Sequence, residues 1–188
     1  MSKNFDAKTT TLLIFVAAVA ALRVAFNFSH EISPVANFSP VGAMAIFGGA
    51  YFNKRWKAFV FPLLMLFISD IVLHQTVFKK YGNGFLYGGW YWVYGAFAVI
   101  TMISRLTLTK ITIHRFFVSV IVCVLIHWIV TDFGVWISST RYPQTFNGFI
   151  LCLENAIPYE SGTLLYGIVL FVGFEWTKRK YPALQTVE

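Results

Sequence analysis

Four ionisable side chains lie inside apolar stretches of the sequence. Asp70 and His74 are four residues apart, so a helix would place them on one face. Asp132 lies in a later apolar run, and Arg23 lies near the end of the first one. An ionised side chain at the bilayer centre costs at least about 2.5–3.5 kcal/mol, so such groups usually face a cavity or a partner.

Two interpretations of these four residues remain open. In the first, Asp70, His74, Asp132 and Arg23 line a pocket that binds polar groups of a solute. In the second, their role is structural: Arg23 neutralises one aspartate and the other caps a loop. His127 stands apart, and we expect it to be a core histidine that bonds to a neighbouring helix.

Aromatic residues make up 19% of the chain. Trp and Tyr at helix ends normally form the interfacial belt of a membrane protein. The predicted outer end is nevertheless crowded, and a flat ligand would find stacking surfaces there. The residues concerned are Tyr87, Trp90, Tyr91, Trp92, Trp136, Tyr142 and Tyr159. From this set we take Trp90, Trp136 and Tyr142 as candidate binding residues.

The composition predicts an integral membrane protein. Of 188 residues, 57% are hydrophobic and 12% are charged, whereas soluble domains carry about 25% charged residues. The net charge of +7 comes from short Lys and Arg clusters between apolar runs. That distribution encodes membrane topology and does not indicate a nucleic-acid partner. The two cysteines, Cys123 and Cys152, are expected to be small apolar fillers.

The element pattern predicts an all-α, polytopic six-helix bundle that forms a single transmembrane domain over residues 1–188. The helices are expected at about 11–27, 40–52, 58–78, 90–104, 116–137 and 161–176. Helix 2 is short, Ser39 is a good N-cap, and Gly42, Ala45 and Gly49 give the helix a small-residue face for tight packing. The basic start and Ala18-Val19-Ala20 are also typical of a cleaved signal peptide, although the apolar run continues beyond them.

The distribution of positive charge predicts that both termini are cytoplasmic. One side of the six crossings would carry most of the Lys and Arg: Lys3, Lys8, Lys54, Arg55, Lys57, Arg105, Lys110, Arg115, Lys178, Arg179 and Lys180. The other side would carry Arg23, Lys79, Lys80 and Arg141. Asp70, His74 and Asp132 then fall in the outer half of the membrane.

The segment Thr131–Pro158 predicts a structured connection between helices 5 and 6. It contains a Tyr-Pro turn and a second apolar piece at about 146–157. That piece has about half of the roughly 20 residues that a membrane crossing needs. We therefore expect a short lid over a cavity, since non-helical backbone at membrane depth must be covered by protein or water.

Common enzyme motifs are missing from the sequence. It has no Gly-x-Ser-x-Gly elbow, no His-Glu-x-x-His and no phosphate-binding glycine loop. A group assembled in space from His127, Asp132 and Ser161 is the remaining alternative, and no spacing favours it. We expect a protein that is not an enzyme and has no intrinsic cofactor.

Several segments resemble a family of small six-helix bacterial membrane proteins that is similar to the S-components of energy-coupling-factor vitamin transporters, near the BtuM-type cobalamin transporters. The segments are NFSPVGAMAIFGGAYF (Asn37–Phe52), the Pro62 to Asp70 stretch, TDFGVWISSTRYP from Thr131, and NAIPYESGTLLYG up to Gly167. The resemblance implies a six-helix fold with its termini inside and a pocket that opens outward. Asn37 and Asn155, within these segments, complete the candidate binding residues.

The resemblance also implies partners and a ligand class. S-components couple to an energising transmembrane partner through small residues of helix 1, which Ala17 and Ala21 would supply here. BtuM-type proteins ligate cobalt through a cysteine near the outer end of helix 3, where this chain has His74 and no cysteine. Imidazole is also a metal ligand, so a corrinoid bound through His74 stays a hypothesis.

The sequence thus predicts a membrane protein that captures a small vitamin-like solute, a corrinoid being one candidate, from outside and moves it inward. The alternative is a non-transport scaffold or assembly subunit whose buried charges hold the helices together.

Overall fold

The computed structural model describes residues 7–28, 40–79, 85–181 and 184. Within them the chain forms six α-helices and no strand, which confirms the predicted all-α six-helix bundle. The helices are α1 (Ala7–Phe28), α2 (Val41–Tyr51), α3 (Arg55–Thr76), α4 (Trp90–Thr107), α5 (Ile113–Ser138) and α6 (Phe146–Lys180). Asn37 and the predicted N-cap Ser39 lie outside the described residues, and Pro40 directly precedes α2.

Four of these helices are long and apolar enough to cross a membrane, namely α1, α3, α5 and α6. Their outward faces carry many large apolar side chains, for example Ile14, Val169 and Val172, which are 62%, 58% and 63% exposed. Such surfaces suit a hydrocarbon environment, where apolar side chains face the lipid. The molecule is therefore a helical membrane protein bundle.

The short helix α2 lies at the centre of the bundle, where it packs against all five other helices. Every residue from Gly42 to Gly49 is buried. Gly42 lies against Thr163 of α6, Gly48 against Pro62 of α3, and Gly49 against the Thr101 carbonyl of α4. A side chain at any of these glycines would meet its neighbour, so small residues let the backbones approach closely. The predicted tight packing of α2 is confirmed.

Aromatic rings hold the second half of α2 against α6. The Tyr51 ring lies 4.4 Å from the Phe174 ring, and the Phe47 ring lies 5.8 Å from the Phe171 ring, between ring centroids. Phe15 of α1 stacks on the Phe47 ring from the other side at 5.9 Å. Aromatic pairs at these separations add stability beyond the area that they bury, so this cluster fixes the depth of α2 in the bundle.

Basic side chains tie the helix ends together at one end of the bundle. Lys8 of α1 donates to Asn53 Oδ1 at 3.2 Å, and the buried Lys57 of α3 donates to Thr9 of α1 at 3.1 Å. Arg105 at the end of α4 donates to the backbone carbonyl of Phe52 at 2.7 Å. The Arg105 bond satisfies a carbonyl group that the end of α2 leaves free. Together the three bonds hold the start of α1, the end of α2 and the end of α4 close to one another.

Helix α2 covers only part of the depth of the bundle. Its 11 residues span roughly 16 Å, about half of the hydrocarbon core of a bilayer. It runs parallel to α6 and starts level with the middle of that helix, since Gly42 meets Thr163. Beyond the start of α2, the described part of the bundle is built by the remaining five helices.

The predicted lid at 146–157 is wrong as a separate element. These residues form the first turns of α6, and the helix passes through Pro158 without ending. A proline inside a helix removes one hydrogen bond and usually kinks the helix, which makes it resemble a boundary in the sequence. Thr145 starts α6 by accepting a hydrogen bond from the Gly148 N–H at 3.2 Å.

The connection between α5 and α6 is structured, as predicted, but it is shorter than predicted and covers only residues 139–145. The Trp136 indole donates to the Pro143 carbonyl at 2.8 Å, and the Gln144 amide donates to the Trp136 carbonyl at 2.6 Å. Gly148 lies directly against the Pro143 carbonyl, where a side chain would collide. These contacts fold residues 139–145 back onto the helix ends.

Candidate functional site

An ion pair joins α1 and α3 inside the bundle. Arg23 Nη1 lies 2.6 Å from Asp70 Oδ1, and the same nitrogen donates to Ser69 Oγ at 2.6 Å. Tyr94 of α4 donates its hydroxyl to Asp70 Oδ2 at 2.8 Å. Asp70 is only 2% exposed, and such a buried carboxylate needs a counter-charge and hydrogen bonds to offset its desolvation. This is the pairing that the structural interpretation of Arg23 predicts.

Two further side chains lie beside this ion pair. Tyr87, in the segment between α3 and α4, lies close enough to Asp70 and Arg23 for both to act on its hydroxyl electrostatically. Burial, and secondly the Asp70 carboxylate, raises the pKa of Tyr87 well above its usual range. His74 is buried one turn beyond Asp70 on α3, so the predicted shared helix face is confirmed.

A second polar group joins α5 and α6. His127 Nδ1 lies 2.6 Å from Glu160 Oε1, and each residue is only 4% exposed. The imidazole stacks on the Tyr159 ring with 5.2 Å between centroids and lies edge-on to Phe97. His127 Nε2 and Glu160 Oε2 are buried and have no hydrogen-bond partner in the part of the chain that the structure describes. The prediction that His127 bonds to a neighbouring helix is confirmed.

Asp132 belongs to this second group. It is 9% exposed, and Glu160 and His127 lie near enough to act on its carboxyl group electrostatically. The Cys152 thiol of α6 donates to Asp132 Oδ1 at 3.7 Å and lies 3.6 Å from its backbone carbonyl. Cys152 is thus buried as a filler would be, but it also supplies a weak hydrogen bond to a carboxylate. Cys123, also buried, lies 3.5 Å from Ser104 Oγ.

The predicted single set of four binding residues therefore divides into two groups. Arg23, Asp70 and His74 belong to α1 and α3, whereas Asp132 lies with His127 and Glu160 on α5 and α6. Sequence reasoning missed Glu160 and Tyr94. Glu160 had a visible signal, since it is a carboxylate within the apolar stretch after Phe146. Its role depends on contact with α5, which spacing along the chain does not reveal.

Both groups lie at the depth where α2 begins. Gly48 of α2 meets Pro62 of α3. These two helices run in opposite directions, so Val41, two turns before Gly48, comes level with Asp70, two turns after Pro62. Gly49 meets Thr101 of α4, and two turns back Val41 comes level with Tyr94.

On α6, Glu160 lies one turn before Thr163, which meets Gly42. We call Arg23, Asp70, Tyr94, His127 and Glu160 the polar layer. It crosses the bundle at the start of α2 and draws one residue from each of the five other helices.

The other candidate residues lie around or away from this layer. Trp90 is 43% exposed and sits edge-on to Tyr94 at 5.5 Å between centroids. Trp136 packs on Phe149 with 5.5 Å between ring centroids, and Tyr142 lies near the Cys152 thiol. Asn155 is exposed on α6, where its amide donates to the Leu151 carbonyl one turn back.

The two small residues predicted to couple to a partner are exposed. Ala17 and Ala21 lie on the outer face of α1, near the 62%-exposed Ile14. They therefore contribute no packing inside the bundle, and another helix would find this face open to it.

Two surface grooves lie in different parts of the bundle. A largely apolar groove of about 240 Å³ lies between α5 and α6, and Glu160 and Trp128 line it. At the basic end, a groove of about 710 Å³ is lined by Arg55, Arg105 and apolar residues. In the described part of the chain, no set of three or more His, Cys, Asp or Glu residues is arranged to hold a metal ion.

Comparison with known protein families identifies the family of this chain. Neither the curated proteins nor the solved structures include a match. A family model with the description "Family of unknown function (DUF6580)" matches residues 3–184. Because the match covers nearly the whole sequence, the chain belongs to the DUF6580 family.

Proposed function

We propose that the protein is a membrane transporter subunit that binds a small vitamin-like solute and moves it into the cell. The observation that carries the proposal is the polar layer at the start of α2. Because the central helix α2 spans only about half the depth of the bundle, the other half is built by the five longer helices. Each of these five helices places a polar or charged side chain at the depth where α2 begins. Ionisable groups at membrane depth are typical of substrate and ion pathways.

The proposed orientation puts both termini in the cytoplasm and the protein in the inner membrane. The basic end of the bundle, with Lys8, Lys57 and Arg105, would face the cytoplasm according to the positive-inside rule. The polar layer would then open toward the outside, where a solute arrives. Trp90, Trp136 and Tyr142 would supply aromatic surface at that end.

Native mass spectrometry of the protein purified from membranes tests the proposal. A small molecule should co-purify with the wild type, and Asp70→Asn, His74→Ala and Asp132→Asn should each reduce its occupancy. A lost hydrogen bond to a charged group costs about 1.5–3 kcal/mol, which corresponds to roughly tenfold or more in affinity.

Glu154→Gln is the matched control for this experiment, because Glu154 is an exposed carboxylate on α6. It should leave the occupancy unchanged. The proposal fails if folded wild-type protein carries no small molecule, or if the three variants retain it as fully as the control.

Within this class of solutes, a corrinoid is a specific candidate, with His74 as the cobalt ligand. Histidine coordination changes the visible absorption spectrum of aquocobalamin, and His74→Ala should abolish that change. His114→Ala is the control, since His114 is exposed at the start of α5. An identical spectral change in both variants would exclude His74 as the ligand.

Transport would require an energising membrane partner, for which Ala17 and Ala21 on the exposed face of α1 are the proposed contact. Ala17→Leu with Ala21→Leu should reduce uptake by cells and leave binding to the purified protein unchanged. A loss of binding as well would point to a defect in the bundle and would contradict the assignment to a partner.

A structural scaffold is the second candidate function, and the Arg23–Asp70 ion pair favours it. The pair is buried, and the Tyr94 hydroxyl bonds to its second carboxylate oxygen. Under this alternative, exchanging the charges (Arg23→Asp with Asp70→Arg) should restore most of the stability that either change alone removes. The transporter proposal expects the exchanged protein to fold and to lose its solute.

A further inference from the structure

The polar group between α5 and α6 has more acidic than basic side chains. It contains the carboxyl groups of Asp132 and Glu160 and a single imidazole, that of His127. All three residues are at most 9% exposed. The Arg23–Asp70 group differs in this respect, because there one guanidinium balances one carboxylate.

Among the described residues, the elements around this group place no Lys or Arg in an ion pair with it. From α6 it is faced by Tyr159 and Cys152, and Tyr142 of the loop reaches the Cys152 thiol. Phe97 faces it from α4, and the adjoining Tyr94 hydroxyl is bonded to Asp70.

Helix α2, which also packs on α5, carries only uncharged buried residues from Gly42 to Gly49. Arg23 is bound to Asp70 and Ser69 on the α1–α3 side. Among residues 7–28, 40–79, 85–181 and 184, no Lys or Arg forms an ion pair with Asp132 or Glu160.

Two ionised carboxylates with one imidazolium would leave an uncompensated negative charge inside the bundle. Desolvating such a charge costs several kcal/mol even after the protein relaxes, and in practice the group takes up a proton instead. The 2.6 Å separation of His127 Nδ1 and Glu160 Oε1 is typical of a charge-assisted hydrogen bond. The buried Glu160 Oε2 and His127 Nε2, which have no hydrogen-bond partner among the described residues, leave positions for further protons.

We propose that His127, Asp132 and Glu160 form a proton-binding site within the membrane-spanning part of the protein. At neutral pH the site binds enough protons to bring its net charge to zero, and at least one of them is on a carboxyl group. The inference rests on the charge balance of these three residues, so it holds whether or not the protein transports a solute.

Infrared difference spectroscopy of the purified wild type tests the site directly. A protonated carboxyl group inside a protein gives a carbonyl stretching band that ionised carboxylates lack. The band should be present at neutral pH, shift on exchange into D₂O and disappear at alkaline pH. Because this measurement uses the unaltered protein, it does not depend on any variant folding.

Substitutions assign the band to residues. Glu160→Gln and Asp132→Asn remove one acid each, and the band should be lost in at least one of them. Glu154→Gln, at an exposed carboxylate on the same helix as Glu160, is the control and should leave the band unchanged.

Three results would overturn the proposal. The first is a wild type without a protonated-carboxyl band at neutral pH. The second is a band that survives in both Glu160→Gln and Asp132→Asn. The third is a band that sodium chloride abolishes at constant pH while potassium chloride does not, because the site would then bind a metal cation in place of the proton.

Discussion

Asp70 shows how the bundle accommodates a charge at membrane depth. Its two carboxylate oxygens have separate partners: Arg23 lies 2.6 Å from Oδ1, and Tyr94 donates to Oδ2 at 2.8 Å. Because both oxygens are engaged, the arrangement links α1, α3 and α4 through one side chain. Any solute that uses Asp70 must therefore compete with Arg23 or Tyr94.

Breaking this pair should destabilise the protein more than removing it completely. Asp70→Asn or Arg23→Gln leaves one buried charge without its partner, which costs about 3–5 kcal/mol. The double variant removes both charges and leaves neither uncompensated, so its loss should be smaller than that of either single variant. Equilibrium unfolding in detergent micelles measures these values.

Arg141→Gln is the control for that cycle, because Arg141 is exposed in the connection between α5 and α6. It should have little effect on the free energy of unfolding. Purely additive losses in the double variant would show that Arg23 and Asp70 do not stabilise each other.

Individual side chains were predictable where their spacing along one helix decided their position. Asp70 and His74 share a buried face of α3, as expected from their separation of one turn. The His127–Glu160 contact was half predictable: an imidazole in an apolar run needs a partner, but the partner lies on another helix. Side chains that meet across helices depend on how those helices are rotated, and a single sequence does not contain that information.

At the scale of elements, the glycines of α2 set the distance between helices. A Cβ on Gly49 would meet the Thr101 carbonyl and lie 2.9 Å from Ser104 Cβ, both on α4. Gly49→Ala should therefore lower the free energy of unfolding by about 1–3 kcal/mol, since backbone atoms cannot move aside easily. Thermal unfolding in detergent measures the change.

Gly95→Ala is the matched control for this prediction. Gly95 lies in α4 with open space around its Cβ position, and alanine favours a helix by up to about 1 kcal/mol over glycine. This variant should be as stable as the wild type or more stable. Equal destabilisation by both substitutions would contradict the close approach of α2 and α4.

A second prediction at this scale concerns the start of α6. Residues 146–157 are helical, so their backbone amides should exchange slowly with deuterium beyond the first turn. The connection at 139–145 should exchange faster, because few of its amides are in helical hydrogen bonds. Hydrogen-exchange mass spectrometry compares the two segments within one experiment, and equally rapid exchange in both would restore the lid interpretation.

Helix boundaries were less predictable than helix number. Pro158 suggested an interruption, yet α6 continues on both sides of it over 35 residues. The packing of α6 on α2 and α5 stabilises the helix around the missing hydrogen bond. The short length of α2 and its small-residue face were predicted correctly, because both are local properties of the sequence.

For the whole molecule, the alternation of helix directions makes the orientation testable. Thr140 and Thr109 are both exposed, in the connection between α5 and α6 and in that between α4 and α5. In intact cells a membrane-impermeant thiol reagent should label Thr140→Cys, while Thr109→Cys should react only after permeabilisation. The native Cys123 and Cys152 are buried, which keeps the background low.

The reverse labelling pattern would place the basic end outside, contrary to the positive-inside rule. The clustering of Lys8, Lys57 and Arg105 at one end of the bundle follows from the alternation of helices and was predictable from the spacing of basic residues between apolar runs. The depth at which the polar layer crosses was not predictable, because it depends on where α2 begins in the folded bundle.

The brevity of α2 also has a consequence for biogenesis. A segment of 11 residues is too short to be retained in the bilayer as an independent span during synthesis. Its neighbours α3, α4 and α6 all follow it in the chain, so it reaches its final position only after the ribosome has produced them. Assembly of this protein therefore ends at its centre, with the innermost helix enclosed by helices that were synthesised later.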